Sequence, residues 1–351
     1  MIEVTPKICI EGREVDFLEG SYKGDGGITS AEMTFKLPLT YGGTKKLWNK
    51  EVTFYLNEFD GVPLFRGWIK RTKEDFEEIE IMAMDALGYL TKGGESSEAL
   101  VTLDKRSNID GLTIGAAIKK IISLANLSGK LKTDIIGNTT PLVSSVREPI
   151  RGIKTALEVI RELMAKAIDT TDQSLPRPNI LKIVDDGEYS QLVIELESRI
   201  DDTAVVKKVF DEYNNITDLN IINKKLPTVI TVEGDGVSST FTHDTALEAF
   251  DRNYLKVTND KLKSYAECKE FGARLFQANL FNQYEYTFGS FDGAYLVENE
   301  VIRIETDDTQ FSGNYRVMGK TISFSSSSYS VQLQINRKPP TLAEYIGSRD
   351  N

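Results

Sequence analysis

The sequence predicts an α+β fold that is mainly β, with two similar small, tube-like β-barrel domains and an α+β domain inserted between them. Two observations carry this prediction. The first is that residues 299–337 contain three expected strands, the last of which alternates Tyr329, Val331, Leu333 and Ile335 with serine, glutamine and asparagine. A period of two residues is typical of a strand that lies between a core and solvent.

The second observation is that residues 51–85 have the same outline as residues 299–337. Each segment starts a strand with Glu-Val and then reaches an aromatic-Arg pair, Phe65-Arg66 in one and Tyr315-Arg316 in the other. The arginine follows the valine by 14 residues in the first copy (52 to 66) and by 15 in the second (301 to 316). A third extended run closes each copy. Because sequence identity is low, we interpret the likeness as a repeat of architecture and leave ancestry open.

A chain of 351 residues is long enough for two to four domains. We expect the first barrel at residues 1–92, built from six short strands. The inserted domain, with two helices and a hairpin, is expected at residues 93–205. The second barrel, with one helix, follows at residues 206–337, and residues 338–351 form a C-terminal tail.

Helical periodicity predicts the three helices. The first opens at Thr113, and the second starts at about residue 150, with Ile153 in its apolar stripe. The third is expected over residues 262–281. Extended runs at residues 179–184 and 191–196 predict the hairpin of the inserted domain.

Composition places the chain among folded globular proteins, since 40% of its residues are hydrophobic and 27% are charged. No apolar run approaches the roughly 20 residues of a membrane helix, and the N-terminus lacks the basic and apolar regions of a signal peptide. We therefore expect a protein that is made and folded in a cytoplasm, without membrane insertion. In that reducing compartment, no disulfide is expected between Cys9 and Cys268.

The net charge of −11 argues against a surface that grips nucleic acid. Such a surface needs lysine and arginine to neutralise phosphates. The acidic balance is compatible with DNA that passes nearby, because an acidic wall repels phosphate and lets a duplex slide without sticking.

Catalytic and metal-binding motifs are missing from the sequence. His243 is the one histidine, and its neighbour Asp244 would point to the opposite face of a strand. One histidine and two distant cysteines cannot supply an ordinary zinc site. Carboxylate pairs such as Asp307-Asp308 arise by chance among 53 acidic residues. We therefore predict no enzyme activity, no cofactor and no metal site.

Three features allow two interpretations each. Trp68 and Tyr315 lie at matching places in the two copies, and we expect them in the core rather than on a sugar-stacking surface. The acidic run within residues 74–80 is either a charged edge strand that resists pairing or an acidic surface of an assembly. The C-terminal tail is either a frayed end or a docking arm. In the second case, Tyr345 and Ile346 are the candidate interface residues.

The last three strands, the helix before them and a run near the N-terminus resemble the phage late control protein D family. These are the baseplate hub proteins of contractile-tailed phages. The similar segments at the C-terminal end are residues 265–280, 300–304, 312–317 and 330–333. Near the N-terminus, residues 64–69 and 81–85 are like the family's F-x-G-x-I … A-x-D run. The middle segment, about residues 93–205, has no such likeness.

The resemblance implies a homotrimer in which each chain carries two barrels, so that three chains form a pseudo-sixfold ring. Such a ring is a symmetry adaptor between a sixfold tail tube protein and a threefold central spike protein, and it contacts other baseplate proteins. DNA is implied to pass through the lumen without specific binding. The implied place is the tail baseplate of the virion, assembled in the host cytoplasm, or the same part of a phage-derived injection machine.

Two other functions stay open on the sequence alone. A carbohydrate- or receptor-binding tail protein would use Trp68 and tyrosines as stacking surfaces. A cell-wall hydrolase would use a pair of carboxylates as general acid and base.

Overall fold

A computed structural model shows how these segments fold. It describes residues 5–25, 30–39, 47–56, 62–90, 100–104, 109–128, 131–134, 146, 150–165, 168–169, 177–185, 189–196, 198, 200, 203–211, 213, 215–223, 225–249, 252–260, 262–281, 284–307 and 312–337.

The N-terminal segment is built from strands, as its alternating sequence predicts. The strands are β1 (Pro6–Ile10), β2 (Arg13–Val15), β3 (Glu19–Asp25), β4 (Glu32–Pro38), β5 (Glu51–Leu56), β6 (Phe65–Glu74) and β7 (Glu78–Met84). A short 3-10 turn follows at Ala86–Leu90. Along β7, Ile79, Ile81 and Ala83 are buried and alternate with more polar or more exposed neighbours. This is the pattern of a strand with one face on a core.

The inserted segment is α+β, as predicted. Its elements are β8 (Leu100–Leu103), α1 (Ile114–Leu124), β9 (Leu131–Lys132), β10 (Gly152–Thr155), α2 (Ala156–Ala165), β11 (Ile168–Asp169), β12 (Arg177–Asp185) and β13 (Ser190–Leu196). The predicted hairpin is confirmed, since β12 and β13 pair antiparallel along their length. Helix α1 starts where expected because Thr113 accepts the backbone N–H of Ala116 through its hydroxyl.

The prediction that the second helix starts near residue 150 is wrong. Residues Gly152–Thr155 form β10, which pairs with β8, and Ile153 is 70% exposed instead of lying in a helical stripe. A capping box sets the true start. The backbone N–H of Glu158 donates to the Thr155 hydroxyl over 3.2 Å, and the Glu158 carboxylate accepts the Thr155 N–H over 2.8 Å.

The C-terminal segment returns to strands but contains an extra unit. Its strands are β14 (Val206–Asp211), β15 (Asp218–Asn223), β16 (Val229–Glu233), β17 (Ser238–Thr242), β18 (Tyr254–Thr258), β19 (Tyr284–Gly289), β20 (Val301–Glu305), β21 (Gly313–Ser325) and β22 (Tyr329–Arg337). Its helices are α3 (Asp244–Ala249) and α4 (Tyr265–Phe281). Strands β16, β17 and β18 make a separate sheet that packs on α4, with a small core of its own.

Both ends of the chain contribute to one large sheet of 13 strands. Its main path is β15-β19-β22-β21-β3-β4-β7-β6-β5-β1-β2, and β20 and β14 branch from β21. The fold class is therefore as predicted, mainly β with α+β elements. Within the described residues, no strand pairing closes either end into a separate barrel. The two ends instead share one sheet and one hydrophobic core.

A second core belongs to the inserted segment. It gathers the apolar faces of α1 and α2 with residues of the β12–β13 hairpin and of the 3-10 turn. Trp68, in the first half of β6, joins this core and is only 9% exposed. Tyr315 is buried in the core of the large sheet. The prediction that both aromatic residues are structural is confirmed, but the prediction that they occupy matching places is wrong, since Trp68 and Tyr315 belong to different cores.

We expect the variant Gly67→Ala to be destabilised by about 3 kcal/mol, the upper end of typical overpacking costs. A Cβ atom at Gly67 would lie 2.4 Å from the Met84 carbonyl oxygen and 2.3 Å from the Phe65 ring, where β6 passes close to β7. Chemical denaturation of the full chain measures the change. The exposed control Thr258→Ala should stay within about 0.5 kcal/mol of the wild type. Equal stability of both variants would contradict this account of the glycine.

Candidate subunit interface

Both ends of the chain repeat one strand topology. The first repeat, residues 6–84, pairs its strands in the order β1-β5-β6-β7-β4-β3, and the second, residues 206–337, in the order β14-β20-β21-β22-β19-β15. We number the strands of each repeat from 1 to 6 along the chain and leave out β2 and the β16–β18 sheet. In this numbering, the strands of both repeats lie in the order 1-4-5-6-3-2. Four of the five pairings are antiparallel in both repeats. The pairing of the first strand differs, being antiparallel for β1·β5 and parallel for β14·β20.

The turn that leads into β5 recurs before β20. Asn49 and Asn299 both have a left-handed backbone, with φ of 59° and 70°. Asparagine tolerates this conformation better than most residues. Each donates its backbone N–H to the strand beside it over 2.9 Å, Asn49 to Ile69 and Asn299 to Val317. The two asparagines are 250 positions apart (299 minus 49), the same spacing as Phe65-Arg66 and Tyr315-Arg316.

The hairpins β6–β7 and β21–β22 share that spacing of 250. The backbone N–H of Asp75 donates to the Glu78 carbonyl over 2.9 Å, and that of Ser325 donates to the Ser328 carbonyl over 2.8 Å. Both hairpins therefore turn through two residues at matching positions. Each also has one β-bulge in its first strand. The repeat seen in the sequence is therefore a repeat of backbone structure.

The two repeats meet where β3 pairs with β21 along its whole length. Phe324, on β21 of the second repeat, enters the core of the first. Its ring stacks on Phe54 with centroids 4.4 Å apart and meets Phe17 edge-on at 5.6 Å. Gly20 is paired with Phe324 and leaves room for the ring, since a Cβ atom there would lie 2.6 Å from it. This junction is both a ladder of backbone hydrogen bonds and an aromatic contact.

Within the part of the chain that the structure describes, the edges equivalent to this junction are open. The half of β21 that pairs with β3 corresponds to Arg71–Glu74 of β6. On the same edge of β6, the described residues contribute no strand beyond β5. Strand β15 is the counterpart of β3 and the last strand of the sheet, with β19 as its one partner in the described part of the chain. An open strand edge is a template for pairing with another chain.

The inserted segment is tied to the second repeat through the side chain of Asn299. Its amide donates to the Glu195 carboxylate and its oxygen accepts the backbone N–H of Ser198, both over 2.7 Å. Arg316 of the aromatic-Arg pair is buried and donates to the Ser198 carbonyl over 3.2 Å. Lys182 on β12 forms an ion pair with Glu195 at 2.7 Å. These polar contacts hold the β12–β13 hairpin against the start of β20.

A buried lysine lies on β21 beside the junction. The Lys320 ammonium donates to the carbonyls of Ala294 and Leu296 over 2.6 and 2.9 Å. Burial lowers the pKa of Lys320 to about 8, against the opposing attraction of Glu298 and Glu300. Through these two hydrogen bonds, the lysine holds the connection between β19 and β20 against β21.

A cavity of about 320 Å³ lies between the first repeat, β12 and the β19–β20 connection, and Asp85 and Lys320 are among its lining residues. The Asp85 carboxylate accepts hydrogen bonds from the Ser30 hydroxyl and from the backbone N–H groups of Ala31 and Leu87, over 2.8 to 3.0 Å. Burial raises the pKa of Asp85 to about 6, although these donors oppose the shift. Both charged groups hold backbone in place, which gives the A-x-D motif a structural role.

The structure separates the residues weighed as catalytic candidates. The His243 ring stacks on Phe276 with centroids 4.5 Å apart, and its Nδ1 accepts the Ala246 N–H at the start of α3. Asp307 accepts a hydrogen bond from the Tyr213 hydroxyl. Across the described ranges, no group of three or more His, Cys, Asp or Glu side chains could hold a metal ion. None of the helices described has the length and apolarity needed to cross a bilayer.

Other predicted features have mixed outcomes. Cys9 and Cys268 are both free. The interpretation of the acidic run as an edge strand is wrong for β7, which lies between β4 and β6. Instead, Glu78 and Glu80 form ion pairs with basic residues on those neighbouring strands. The candidate interface residues Tyr345 and Ile346 lie outside the described residues. Sequence reasoning missed the two open strand edges, since only pairing between the repeats shows which edges remain open.

We expect Phe324→Ala to lower the free energy of unfolding by about 3 to 5 kcal/mol, because it empties a buried aromatic site shared by both repeats. Urea denaturation of the full chain measures this change. The matched control is Phe291→Ala, since Phe291 is half exposed and contacts Tyr329 edge-on. Phe291→Ala should lower the free energy of unfolding by less than half as much as Phe324→Ala does. Similar losses in both variants would argue against a special role for the junction.

The variant Lys320→Met should remove a pH dependence of stability. Between about pH 8 and pH 10.5, the folded wild type binds fewer protons at Lys320 than the unfolded chain does. Wild-type stability therefore rises with pH across this window relative to the variant. Urea denaturation of both proteins at several pH values gives the comparison. Parallel curves would contradict the lowered pKa.

No family model matches the sequence, and no curated protein matches it. Solved structures do match the fold. The chain aligns over 95% of its length with 97% of the prophage MuSo2 43 kDa tail protein from Shewanella oneidensis, at a TM-score of 0.63 and 11% identity. A tail protein from Neisseria meningitidis MC58 aligns over the same shares of both chains, at 0.61 and 11%.

A third structure is the E. coli c3393 protein, a component of the type VI secretion system described as structurally similar to the T4 bacteriophage tail proteins gp27 and gp5. It covers 95% of this chain and 79% of its own, with a TM-score of 0.53 and 13% identity. At these identities the likeness concerns the fold alone. The chain has the fold of phage tail proteins.

Proposed function

We propose that this chain is a structural subunit of a phage-type tail baseplate, where it forms the hub as a homotrimer. The observation that carries the proposal is the repeated strand order, 1-4-5-6-3-2, at the two ends of one chain. Its fold is shared with a prophage tail protein from Shewanella oneidensis and with a tail protein from Neisseria meningitidis. The resemblance to late control protein D hubs in the last three strands points to the same role.

The duplicated topology lets a trimer present six similar units. Each chain supplies two similar units, so three chains supply six, and a threefold ring then has pseudo-sixfold symmetry. Such a ring adapts a sixfold tail tube to a threefold central spike. Its other contacts are with baseplate proteins around it, and its place is the virion tail after assembly in the host cytoplasm.

The charge of the chain suits passage of DNA through the ring. Three chains at −11 sum to −33. An acidic lumen repels phosphate, so DNA passes without being held.

We further propose that the hub does no catalysis. Trp68, on which a carbohydrate-binding function would depend, is buried and cannot offer a stacking surface. Asp85, whose pKa is raised by burial, is committed to hydrogen bonds with backbone groups and a serine. A cell-wall hydrolase would instead need a pair of carboxylates that face a substrate cleft.

Light scattering coupled to size-exclusion chromatography tests the trimer. The purified full chain should give a mass of three times 39.3 kDa at micromolar concentration. Negative-stain images should show rings with six lobes. A stable monomer or dimer under these conditions would overturn the proposal.

Zymography on peptidoglycan tests the absence of catalysis. We expect no cleared band from the purified trimer. A cleared band that disappears when a specific carboxylate is replaced would establish a hydrolase and remove the non-catalytic part of the proposal.

A further inference from the structure

We infer that strand β15 of one chain pairs antiparallel with the second half of β6 of the next chain, with Asp218 opposite Lys73. The inference rests on the proposed homotrimer and specifies the junction between its subunits. Its occupant is a second copy of this chain.

The junction inside the chain supplies the template. Strand β3 of the first repeat pairs with the second half of β21 in the second repeat. In the shared topology, β15 takes the place of β3 and β6 takes the place of β21. Within one chain, the described strands do not bring these two edges together. A neighbouring chain related by head-to-tail rotation brings them together and repeats the same junction around the ring.

The register follows from paired residues. Tyr22 pairs with Met33, which pairs with Ala83. In the second repeat, Leu219 pairs with Phe288, which pairs with Leu333. Ala83 and Leu333 are 250 positions apart (333 minus 83), which is the spacing of the repeat. Leu219 is therefore the counterpart of Tyr22.

The partner position on β6 follows in the same way. Tyr22 pairs with Ile322 in the chain, and Ile322 corresponds to Thr72 (322 minus 250). Leu219 is thus placed opposite Thr72 of the next chain. Since the strands run antiparallel, Asp218 then lies opposite Lys73.

The side chains brought together in this register are compatible on both faces. Leu219 and Thr72 are each half buried and lie on the inner face of their own sheet. Asp218 and Lys73 are exposed on the outer face, where directly opposite charges attract. The next pair along the same face places Asn220 opposite Arg71 of the other chain. The side-chain amide of Asn220 also donates to Asp218 of its own chain over 2.7 Å. No like charges are placed opposite each other.

The two junctions differ in strength. Phe324, the aromatic plug of the junction inside the chain, corresponds to Glu74 of β6 (324 minus 250). The junction between chains therefore lacks the plug. It depends on the backbone ladder and the charge pair, so it should weaken as salt rises.

Charge reversal tests the pairing by equilibrium sedimentation of the full chain. Lys73→Glu and Asp218→Lys should each raise the trimer dissociation constant at least tenfold, because each variant places two charges of the same sign opposite each other across the junction. Combining the two changes should restore at least half of the lost association free energy. The matched control is Lys119→Glu on α1, an exposed lysine outside the proposed junction, which should leave the constant unchanged. Thermal unfolding monitors that all variants are folded.

Disulfide trapping tests the register. In antiparallel sheets, residues opposite each other outside a hydrogen-bonded pair have Cα atoms about 4.5 Å apart, within disulfide range. Lys73 and Asp75 direct their backbone N–H groups toward β7, so Lys73 and Asp218 form such a pair. In a Cys9→Ser background, Lys73→Cys with Asp218→Cys should yield a linked species of three chains on oxidation, reversed by reductant. Lys73→Cys with Thr258→Cys is the mismatched control.

The outcomes separate the two proposals. A wild-type trimer that neither responds to charge reversal nor forms the specific disulfide would overturn the strand pairing and leave the hub trimer standing. A wild-type chain that stays monomeric would overturn the hub trimer, and this junction with it. A charge-reversed monomer that is rescued by the double variant supports both.

Discussion

The pairing of β3 with β21 is the constraint on which the whole fold depends. It joins residues about 300 positions apart, such as Glu19 and Ser325, and seats Phe324 in a core made by the other end of the chain. Closing so long a loop costs conformational entropy that only extensive contacts can offset. The ladder and the stacked rings supply those contacts. Neither repeat can therefore complete its core until both ends of the chain are present.

The elements that are not part of the repeat lie in the connections between its strands or between the two repeats. In the first repeat, β3 and β4 are joined by a short segment, whereas the same connection in the second repeat contains β16 to β18, α3 and α4. The inserted α+β segment lies between the repeats and is tied down at Asn299, in the turn that both repeats share. Loops tolerate such additions because the cost of lengthening a closed loop grows slowly. The sheet order, which sets the core, is unchanged.

Sequence reasoning found what depends on local pattern. Alternation identified the strands of the first repeat and the last three strands of the second, but it missed β14 and β19. The shared spacing of Phe65-Arg66 and Tyr315-Arg316 indicated the duplication that the strand order then showed. It failed at the second helix because apolar spacing around Ile153 outweighed a capping box, Thr155 to Glu158, that was present in the sequence. The junction between the repeats was beyond its reach, since non-local pairing leaves no periodic signal.

The two hairpin tips have a consequence for the shape of an assembled ring. The tip at Asp75–Glu78 offers an aromatic ring among carboxylates, while its counterpart at Ser325–Ser328 offers only hydroxyl groups. Six tips around a rim would alternate between these two chemistries. In the proposed trimer, the rim would therefore carry three apolar, negatively charged tips and three neutral ones, and a molecule that binds there would meet the same chemistry every 120°.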